Sequence, residues 1–378
     1  MRIAVPTEAA ANEARVAATP ETVKKLIALG AEVVVQSGAG KGSGLPDADF
    51  EKAGATIAAD AAATVSGADV VLAVRRPQPA ALAGAKPDAV VLAIMDPYGQ
   101  AEALQALAGA KVQAFAMELM PRITRAQVMD VLSSQANLAG YRAVLEAAAE
   151  YGRAIPMMMT AAGTVPAAKI FIMGVGVAGL QAIATARRLG GVVTATDVRP
   201  ATKEQVESLG AKFLAVEDDE FKQAETSGGY AKEMSDAYKA KQAALVASHI
   251  AKQDIVITTA LIPGRAAPRL VSADMVKSMR AGSIIIDLAV ERGGNCELSR
   301  PDEVVVTENG VRIVGYSNVT RLGSSASSLY ARNLYAFVET LIDKAAKALA
   351  VNWDDELVKA TLLTRDGAVV HPNFAPKS

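Results

Sequence analysis

The feature that most constrains the fold is a glycine-rich turn between a predicted strand and a predicted helix. Lys169–Met173 is an apolar run typical of a buried strand, and Leu180–Leu189 has the apolar period of a helix. The segment Gly174–Gly179 between them reads GxGxxG. In this context the first glycine allows a tight turn, the second lets the backbone approach a pyrophosphate, and the third lets helix and strand pack closely. The sequence therefore predicts an α/β fold with a dinucleotide site at a helix N-terminus.

A carboxylate at the end of the next predicted strand strengthens this interpretation. Asp197 follows Val192–Thr196 and lies 18 residues after Gly179, where it can accept hydrogen bonds from an adenosine ribose. Arg199 is suited to a 2′-phosphate, but Asp197 would repel that phosphate, so we expect NAD(H) in preference to NADP(H). The alternative is that the glycines only make a turn and that Asp197 is a solvated strand end.

The pattern of predicted strands indicates two domains. A chain of 378 residues suits two domains, at ~100 to 200 residues per domain. Each half alternates helical stretches with apolar runs that are too continuous for a one-faced sheet, which favours parallel sheets covered on both faces. The predicted strands are Arg2–Val5, Glu32–Gln36, Val70–Val74, Ala89–Ile94, Val112–Met117, Lys169–Met173, Val192–Thr196, Phe213–Val216, Ile255–Thr259, Ser283–Leu288 and Val311–Gly315.

Two long helices are expected to connect these halves. One runs from Arg125 to about Tyr151, and the chain turns helical again from Ala326 to about Leu349. We therefore expect two doubly wound, parallel-sheet (Rossmann-like) lobes separated by a cleft and joined by long helices. The first lobe would comprise residues 1–132 plus 320–378, with returning C-terminal helices, and residues 133–319 would form the NAD(H)-binding lobe.

Composition excludes several classes of function. Lys and Arg number 39 against 40 Asp and Glu, so no basic excess indicates nucleic acid as a partner. The single cysteine, Cys296, cannot form an internal disulfide or a zinc site, which favours a reducing compartment such as the cytoplasm. The sequence shows neither a signal peptide nor a membrane span, and we expect no metal site.

Polar residues recur near the predicted junction of the lobes. Gln127, Asp130 and Ser133 are spaced by three residues, and Arg122 comes just before them. On a helix this spacing gives one polar face. The alternative is local structure: Thr124-x-x-Gln127 fits a capping box, and Asp130 would suit the helix dipole. Spacing alone leaves both interpretations open.

Histidine usage narrows the chemistry. The chain has two histidines, His249 and His371, and neither lies near these motifs in the sequence. Oxidation of an alcohol or amine moves a proton as well as a hydride, and histidine is the commonest group to carry it. Hydride transfer between two nicotinamide rings needs close approach and exclusion of water instead.

Further segments complete a pattern that covers almost the whole chain: Arg2–Pro6, Glu13–Ala17, Thr19–Glu21, Met117–Arg122, Asp130–Arg142, Met157–Val165, Ala195–Arg199, Gly228–Met234, Thr258–Gly264 and Ile286–Asn295. With the glycine turn, they resemble the soluble NAD(H)-binding component, domain I, of proton-translocating nicotinamide nucleotide transhydrogenase. The sister family is alanine dehydrogenase. Its expected lysine in Leu72–Pro77 and its catalytic histidine in Leu92–Asp96 are missing here, which favours transhydrogenase.

The resemblance implies roles for individual residues and partners. The chain would bind NAD(H) and pass hydride to NADP⁺ on an NADP(H)-binding domain, coupled to a proton-conducting membrane domain, as a homodimer at the inner face of the membrane. Alternatives are an alanine dehydrogenase-like enzyme and a non-catalytic NAD(H) sensor. The implied catalytic residues, around the nicotinamide, are Arg122, Gln127, Asp130 and Ser133. The implied cofactor-binding residues are Gly174, Val175, Gly176, Val177, Ala178, Gly179, Asp197, Val198, Arg199, Gly229, Tyr230, Ala260 and Leu261, with Tyr230 on a loop over the nucleotide.

Overall fold

The chain folds as two compact units. The computed structural model describes residues 1–222, 234–262, 264–316 and 320–376. Unit 1 comprises Met1–Gln135 with Thr320–Ser378, and unit 2 comprises Ala136–Val319. Each unit is built on its own sheet, which confirms the predicted α/β fold with a parallel sheet in each half. The assignment of nucleotide binding to unit 2 stays a prediction.

Unit 1 contains a six-stranded parallel sheet in the order β3-β2-β1-β4-β5-β6. The central strands are almost wholly buried runs such as VVLAVR in β4, as expected for a sheet covered on both faces. The strands are β1 (Arg2–Val5), β2 (Glu32–Gln36), β3 (Thr56–Ala58), β4 (Val70–Arg75), β5 (Val90–Ile94) and β6 (Gln113–Ala116), and the first helices are α1 (Pro20–Ala28), α2 (Asp47–Lys52), α3 (Ala61–Val65) and α4 (Ala101–Gly109).

The predicted helix from Arg125 to Tyr151 is broken at its start. Thr124–Met129 is a 3₁₀ helix, Asp130 has extended backbone (φ −73°, ψ 91°), and α5 (Val131–Glu150) begins after it. The reason is that the Asp130 carboxylate caps α5, because it accepts hydrogen bonds from Ser133 N at 2.8 Å and Ser133 Oγ at 2.6 Å. The alternative of a capping box from Thr124 to Gln127 is also wrong, since no side chain caps the 3₁₀ helix.

Unit 2 contains a seven-stranded sheet in the order β11-β10-β9-β12-β13-β15-β14, which is parallel except that β14 runs antiparallel to β15. A separate hairpin pairs β7 with β8. The strands are β7 (Met158–Thr160), β8 (Gly163–Val165), β9 (Lys169–Met173), β10 (Val192–Thr196), β11 (Lys212–Phe213), β12 (Ile255–Thr258), β13 (Ile284–Asp287), β14 (Val304–Val306) and β15 (Arg312–Val314); the helices are α6 (Val177–Arg188), α7 (Thr202–Ser208), α8 (Asp219–Lys222), α9 (Asp236–Ile250) and α10 (Ala273–Ser278).

The C-terminal part of the chain returns to unit 1. Helix α11 (Gly323–Thr340) contributes Tyr330, Leu334 and Phe337 to the core that also contains Phe115 of β6. The predicted helix to Leu349 ends earlier, because Asp343 Oδ1 accepts the backbone N–H groups of two following residues and starts a turn. The remaining elements are β16 (Ile342–Asp343), β17 (Ala348–Leu349), α12 (Glu356–Thr361), β18 (Thr364–Arg365) and β19 (Ala368–Val369).

Candidate functional site

The glycine turn lies at the point where the strand order of unit 2 reverses. Strand β9 is flanked by β10 on one side and β12 on the other, so the chain leaves the two neighbouring strands in opposite directions. Ligands of open α/β sheets bind at the carboxyl ends of the strands at such a point. Gly174 directly follows β9, and Ala260 lies just beyond β12.

Two of the three glycines are required by the chain's own packing. Gly174 has φ +103°, and a Cβ there would lie 2.6 Å from Thr259 Oγ1, which donates a hydrogen bond to the Gly174 carbonyl. A Cβ on Gly179 would lie 1.9 Å from the same carbonyl oxygen. These glycines let the turn and the first coil of α6 pack against the end of β12, as the sequence pattern indicated.

The middle glycine is different, because the protein itself does not need it. A Cβ on Gly176 would meet no described atom within 4 Å, and its φ of −84° is open to any residue. Gly176 precedes α6 and caps it without a side chain, and the first turn of α6 has no acidic residue. The backbone N–H groups at this helix end are therefore accessible to an anion that approaches closely.

A fourth glycine supports the same helix and was not singled out as a site residue. Gly140 lies within α5, and a Cβ there would come within 2.0 Å of the Ala178 carbonyl oxygen. Gly140 thus allows the backbone of α5 to approach the first turn of α6. The available signal was an isolated glycine inside a predicted helix, which often marks close packing.

Asp197 lies just after β10, as predicted, but its carboxylate is occupied by the protein. Its oxygens accept hydrogen bonds from Val175 N at 2.8 Å, Arg199 N at 2.9 Å, and Arg199 Nε and Nη2 at 2.9 and 3.0 Å. These four bonds match the roughly four acceptor positions of a carboxylate. A ribose hydroxyl would therefore have to share or replace the Arg199 contacts. The ribose role of Asp197 stays a prediction.

The loop after β12 completes this edge of unit 2. Asn295 is fully buried and holds Ala260 from both sides, because Oδ1 accepts Ala260 N at 3.0 Å and Nδ2 donates to Ala260 O at 2.9 Å. Leu261 is 53% exposed, and Val198 is 43% exposed. The structure therefore brings the glycine turn and Asp197 together, with Ala260 beside Gly174. Gly229 and Tyr230 lie outside the described residues.

The predicted catalytic residues belong to unit 1. Asp130 and Ser133 are joined by the cap of α5, whereas Gln127 is exposed on the 3₁₀ helix that precedes it. Arg122 is exposed just before that 3₁₀ helix. The four residues therefore occupy one short segment, but the predicted common helix face does not exist because the backbone turns at Asp130.

The strand order of unit 1 also reverses, between β1 and β4, but this point is filled by side chains. The Glu8 carboxylate accepts Val74 N at 2.6 Å and Arg75 N at 3.1 Å, and its burial raises the pKa of Glu8. Beside it, the Glu13 carboxylate pairs with Arg15 at 2.7 Å and Arg75 at 2.8 Å. Burial acts to raise the pKa of Glu13, but these hydrogen bonds outweigh it and lower the pKa.

Both histidines are used in packing. His249 Nε2 lies 2.8 Å from Thr194 Oγ1, its ring contacts Phe171 edge to face, and burial lowers its pKa. His371 Nε2 lies 3.2 Å from the Ala360 carbonyl oxygen. Within the described ranges, His, Cys, Asp and Glu side chains form no group suited to a metal ion. In the same ranges no helix has the length and apolar character needed to span a bilayer.

Comparison with known proteins places these features in a family. Models described as alanine dehydrogenase/PNT, N-terminal domain, and alanine dehydrogenase/PNT, C-terminal domain, match residues 4–139 and 143–372. The chain is 55% identical to the first of the separately named pieces of NAD(P) transhydrogenase subunit alpha of Rhodospirillum rubrum, over 98% of each sequence.

Solved structures and a more distant relative agree with this placement. The crystal structure of transhydrogenase from Sinorhizobium meliloti matches with a TM-score of 0.89 and 61% identity, over 98% of this chain and 100% of that one. Alanine dehydrogenase of Mycobacterium tuberculosis is 30% identical, over 80% of this chain and 76% of its own. The chain therefore belongs to the alanine dehydrogenase/PNT family, together with the NAD(P) transhydrogenase alpha subunits.

Proposed function

We propose that the chain is the NAD(H)-binding component of a proton-translocating transhydrogenase. It would catalyse hydride transfer between NADH and NADP⁺ held on a partner domain. The observation that carries the proposal is the uncapped N-terminus of α6 at Gly176, which lies where the strand order of unit 2 reverses. The similarity to the Rhodospirillum rubrum alpha subunit supports the choice of reaction.

The residues of unit 2 would bind the adenosine and pyrophosphate parts of the nucleotide. Backbone N–H groups at the start of α6 suit the pyrophosphate, because the helix dipole also favours an anion there. The carboxylate of Asp197 would bind the ribose. The proposed binding set is Gly174, Val175, Gly176, Val177, Ala178, Gly179, Asp197, Val198, Arg199, Gly229, Tyr230, Ala260 and Leu261.

The short segment of unit 1 would act at the nicotinamide. Arg122, Gln127, Asp130 and Ser133 carry hydrogen-bonding groups that can orient a carboxamide and a ribose. Hydride transfer between two nicotinamides needs the reacting carbon atoms about 3 to 3.5 Å apart and needs no general acid. The use of both histidines in packing is consistent with such a reaction.

The proposed partners are an NADP(H)-binding domain and a proton-conducting membrane domain. Through them the chain would work on the cytoplasmic side, at the inner face of the membrane. NADP(H) would be held by the partner, since Asp197 disfavours a 2′-phosphate in unit 2.

We also propose that the chain forms a homodimer through the β7–β8 hairpin. All six residues of its two strands are exposed, and Met157 and Met159 are 63% and 75% exposed. A two-stranded hairpin is marginal on its own in water, and exposed apolar edges tend to pair with another chain. Sedimentation of Met159→Lys should show a monomer. Val306→Lys, on the exposed edge strand β14, should stay dimeric, and a dimeric Met159→Lys would contradict the hairpin interface.

The function is tested by mixing the purified chain with the NADP(H)-binding component of a transhydrogenase. With NADH and an NADP⁺ analogue of distinct absorbance, we expect reduction of the analogue only when both proteins are present. The same chain should not reduce NAD⁺ with L-alanine. Alanine-dependent NADH formation without transfer would instead establish an alanine dehydrogenase, and NADH binding with neither activity would indicate a sensor.

A further inference from the structure

The segment that carries Gln127, Asp130 and Ser133 contains a break in the backbone. The 3₁₀ helix ends at Met129, Asp130 is extended, and α5 starts at Val131. Carbonyl groups in the last turn of a helix lose their partners when the helix does not continue. The Val128 carbonyl is in this position, so the break needs a hydrogen-bond donor from elsewhere in the protein.

Asn333 on α11 supplies that donor. Its Nδ2 donates to the Val128 carbonyl at 2.8 Å, and its Oδ1 accepts a hydrogen bond from Ser134 Oγ at 2.7 Å. The Asn333 residue is only 7% exposed. One buried amide therefore ties the chain before the break to the chain after it, and Asp130 lies between the two tied positions.

The tie is directional, unlike the apolar contacts of the same segment. Ala126, Met129 and Val131 anchor its inner side in the core of unit 1, whereas Val128 is 64% exposed. Apolar burial is not directional and tolerates small shifts. A planar amide with its donor and its acceptor both in use fixes the distance between its two partners. An aspartate lacks the donor, and a leucine lacks both groups.

We propose that Asn333 is a positioning residue, which holds the Gln127–Ser133 segment in the geometry that hydride transfer requires. This inference rests on the proposed function, because it assumes that the segment faces the nicotinamide. Asn333 itself would not touch the nucleotide. Its effect would pass through the backbone at Val128 and through Ser134, which precedes the second turn of α5.

The test combines amide hydrogen exchange with kinetics on the full chain. In Asn333→Asp, which keeps the shape but loses the donor, amides of residues 128–134 should exchange at least about 10-fold faster. Transfer from NADH to NADP⁺ on the partner component should slow by about 10- to 100-fold, since small misplacements at a reacting centre have effects of this size. The dissociation constant for NADH should stay within about threefold.

Two further variants separate positioning from general destabilisation. Arg332→Ala alters the adjacent residue of α11, whose exposed guanidinium pairs with Glu21, and should change neither the exchange nor the transfer rate. Ser134→Ala removes one of the two Asn333 bonds and should give a smaller effect in the same direction. If Asn333→Asp does not fold, Ser134→Ala decides by the same measurements.

Unchanged exchange at 128–134 in the decisive variant would overturn the tie. Faster exchange with an unchanged transfer rate would overturn the positioning role. A loss of NADH affinity equal to the loss of rate would also overturn it, since that result describes a general defect. If the wild-type chain does not bind NADH, the proposed function fails by itself, and without a reaction to position the role of Asn333 falls with it.

Discussion

The two units share a strand order but differ where that order reverses. Both sheets place their first strand between the second and the fourth, β1 in unit 1 and β9 in unit 2. In unit 1 the Glu8 carboxylate binds the backbone N–H groups at the end of β4. In unit 2 the strand is followed by a glycine turn, and no side chain caps α6. The fold provides the same crevice twice, and the residues after the first strand decide whether backbone donors remain for a ligand.

The largest effect is expected when the glycine turn is overpacked. In Gly179→Ala the new Cβ would meet the Gly174 carbonyl at 1.9 Å, so the turn or α6 must shift. We expect the free energy of unfolding to fall by about 1 to 3 kcal/mol, with loss of measurable NADH binding. Urea unfolding and NADH titration test this. An alanine variant with normal stability would show that the close packing at the turn is wrong.

The middle glycine should separate binding from stability. Gly176→Ala adds a Cβ to open space, so the free energy of unfolding should change by less than about 0.5 kcal/mol. NADH affinity should still fall by about 1.5 to 3 kcal/mol, because the Cβ obstructs hydrogen bonds to a charged pyrophosphate. Full NADH affinity in this variant would mean that the nucleotide does not approach the start of α6.

Asp197→Ala should weaken NADH binding by about 1.5 to 3 kcal/mol and reduce discrimination against NADPH. The structure adds a second consequence, since the variant also leaves Arg199 and Val175 N without their carboxylate partner. Melting should therefore be measured alongside both nucleotide titrations. Lys203→Ala, which removes a nearby exposed ion pair with Glu217, is the matched control and should bind NADH normally. Unchanged NADH affinity in Asp197→Ala would return Asp197 to a purely structural role.

Gln127→Asn should slow hydride transfer by about 10-fold and leave NADH affinity within a small factor, because Gln127 is proposed to orient the nicotinamide. Its side chain is exposed and caps no helix, so melting should be unchanged. Asp130→Asn should also slow transfer, but it alters the cap of α5, which asparagine can still provide. Normal turnover in Gln127→Asn would remove this residue from the site.

The smallest effect is expected at the other crevice. Burial raises the pKa of Glu8, so the folded state favours the protonated acid. Its contribution to stability is complete below the unfolded pKa of about 4.3 and is lost as pH rises through the raised pKa. The stability of the wild type relative to Glu8→Gln should therefore decline over this window in urea unfolding. NADH binding should not change, and a weaker affinity would place a nucleotide contact in unit 1.

Local patterns predicted the nucleotide corner well. The strand β9, the glycine turn and α6 depend on residues that are adjacent in sequence, and the chain around Asp197 follows the same unit. Strands β3 and β14 were missed because each has only three residues at the edge of its sheet. The break at Asp130 was missed because an aspartate that caps a helix and one inside its first turn look alike in sequence.

Long-range contacts were beyond the reach of sequence patterns. Glu8 binds the backbone 66 and 67 residues away, and Asn333 binds Val128 across 205 residues. Nothing near Glu8 or Asn333 in the sequence indicates these partners. The seal of Arg199 over Asp197 was hidden differently, because the sequence showed both residues but not that they bind each other.

Hydrogen exchange of the wild-type chain with and without saturating NADH tests the central comparison most directly. We predict slower exchange of the backbone amides at residues 175–180, where α6 begins, and no change at residues 7–8 and 74–76 of the other crevice. Protection at 7–8 and 74–76, or no protection at the start of α6, would contradict the assignment of the nucleotide to unit 2.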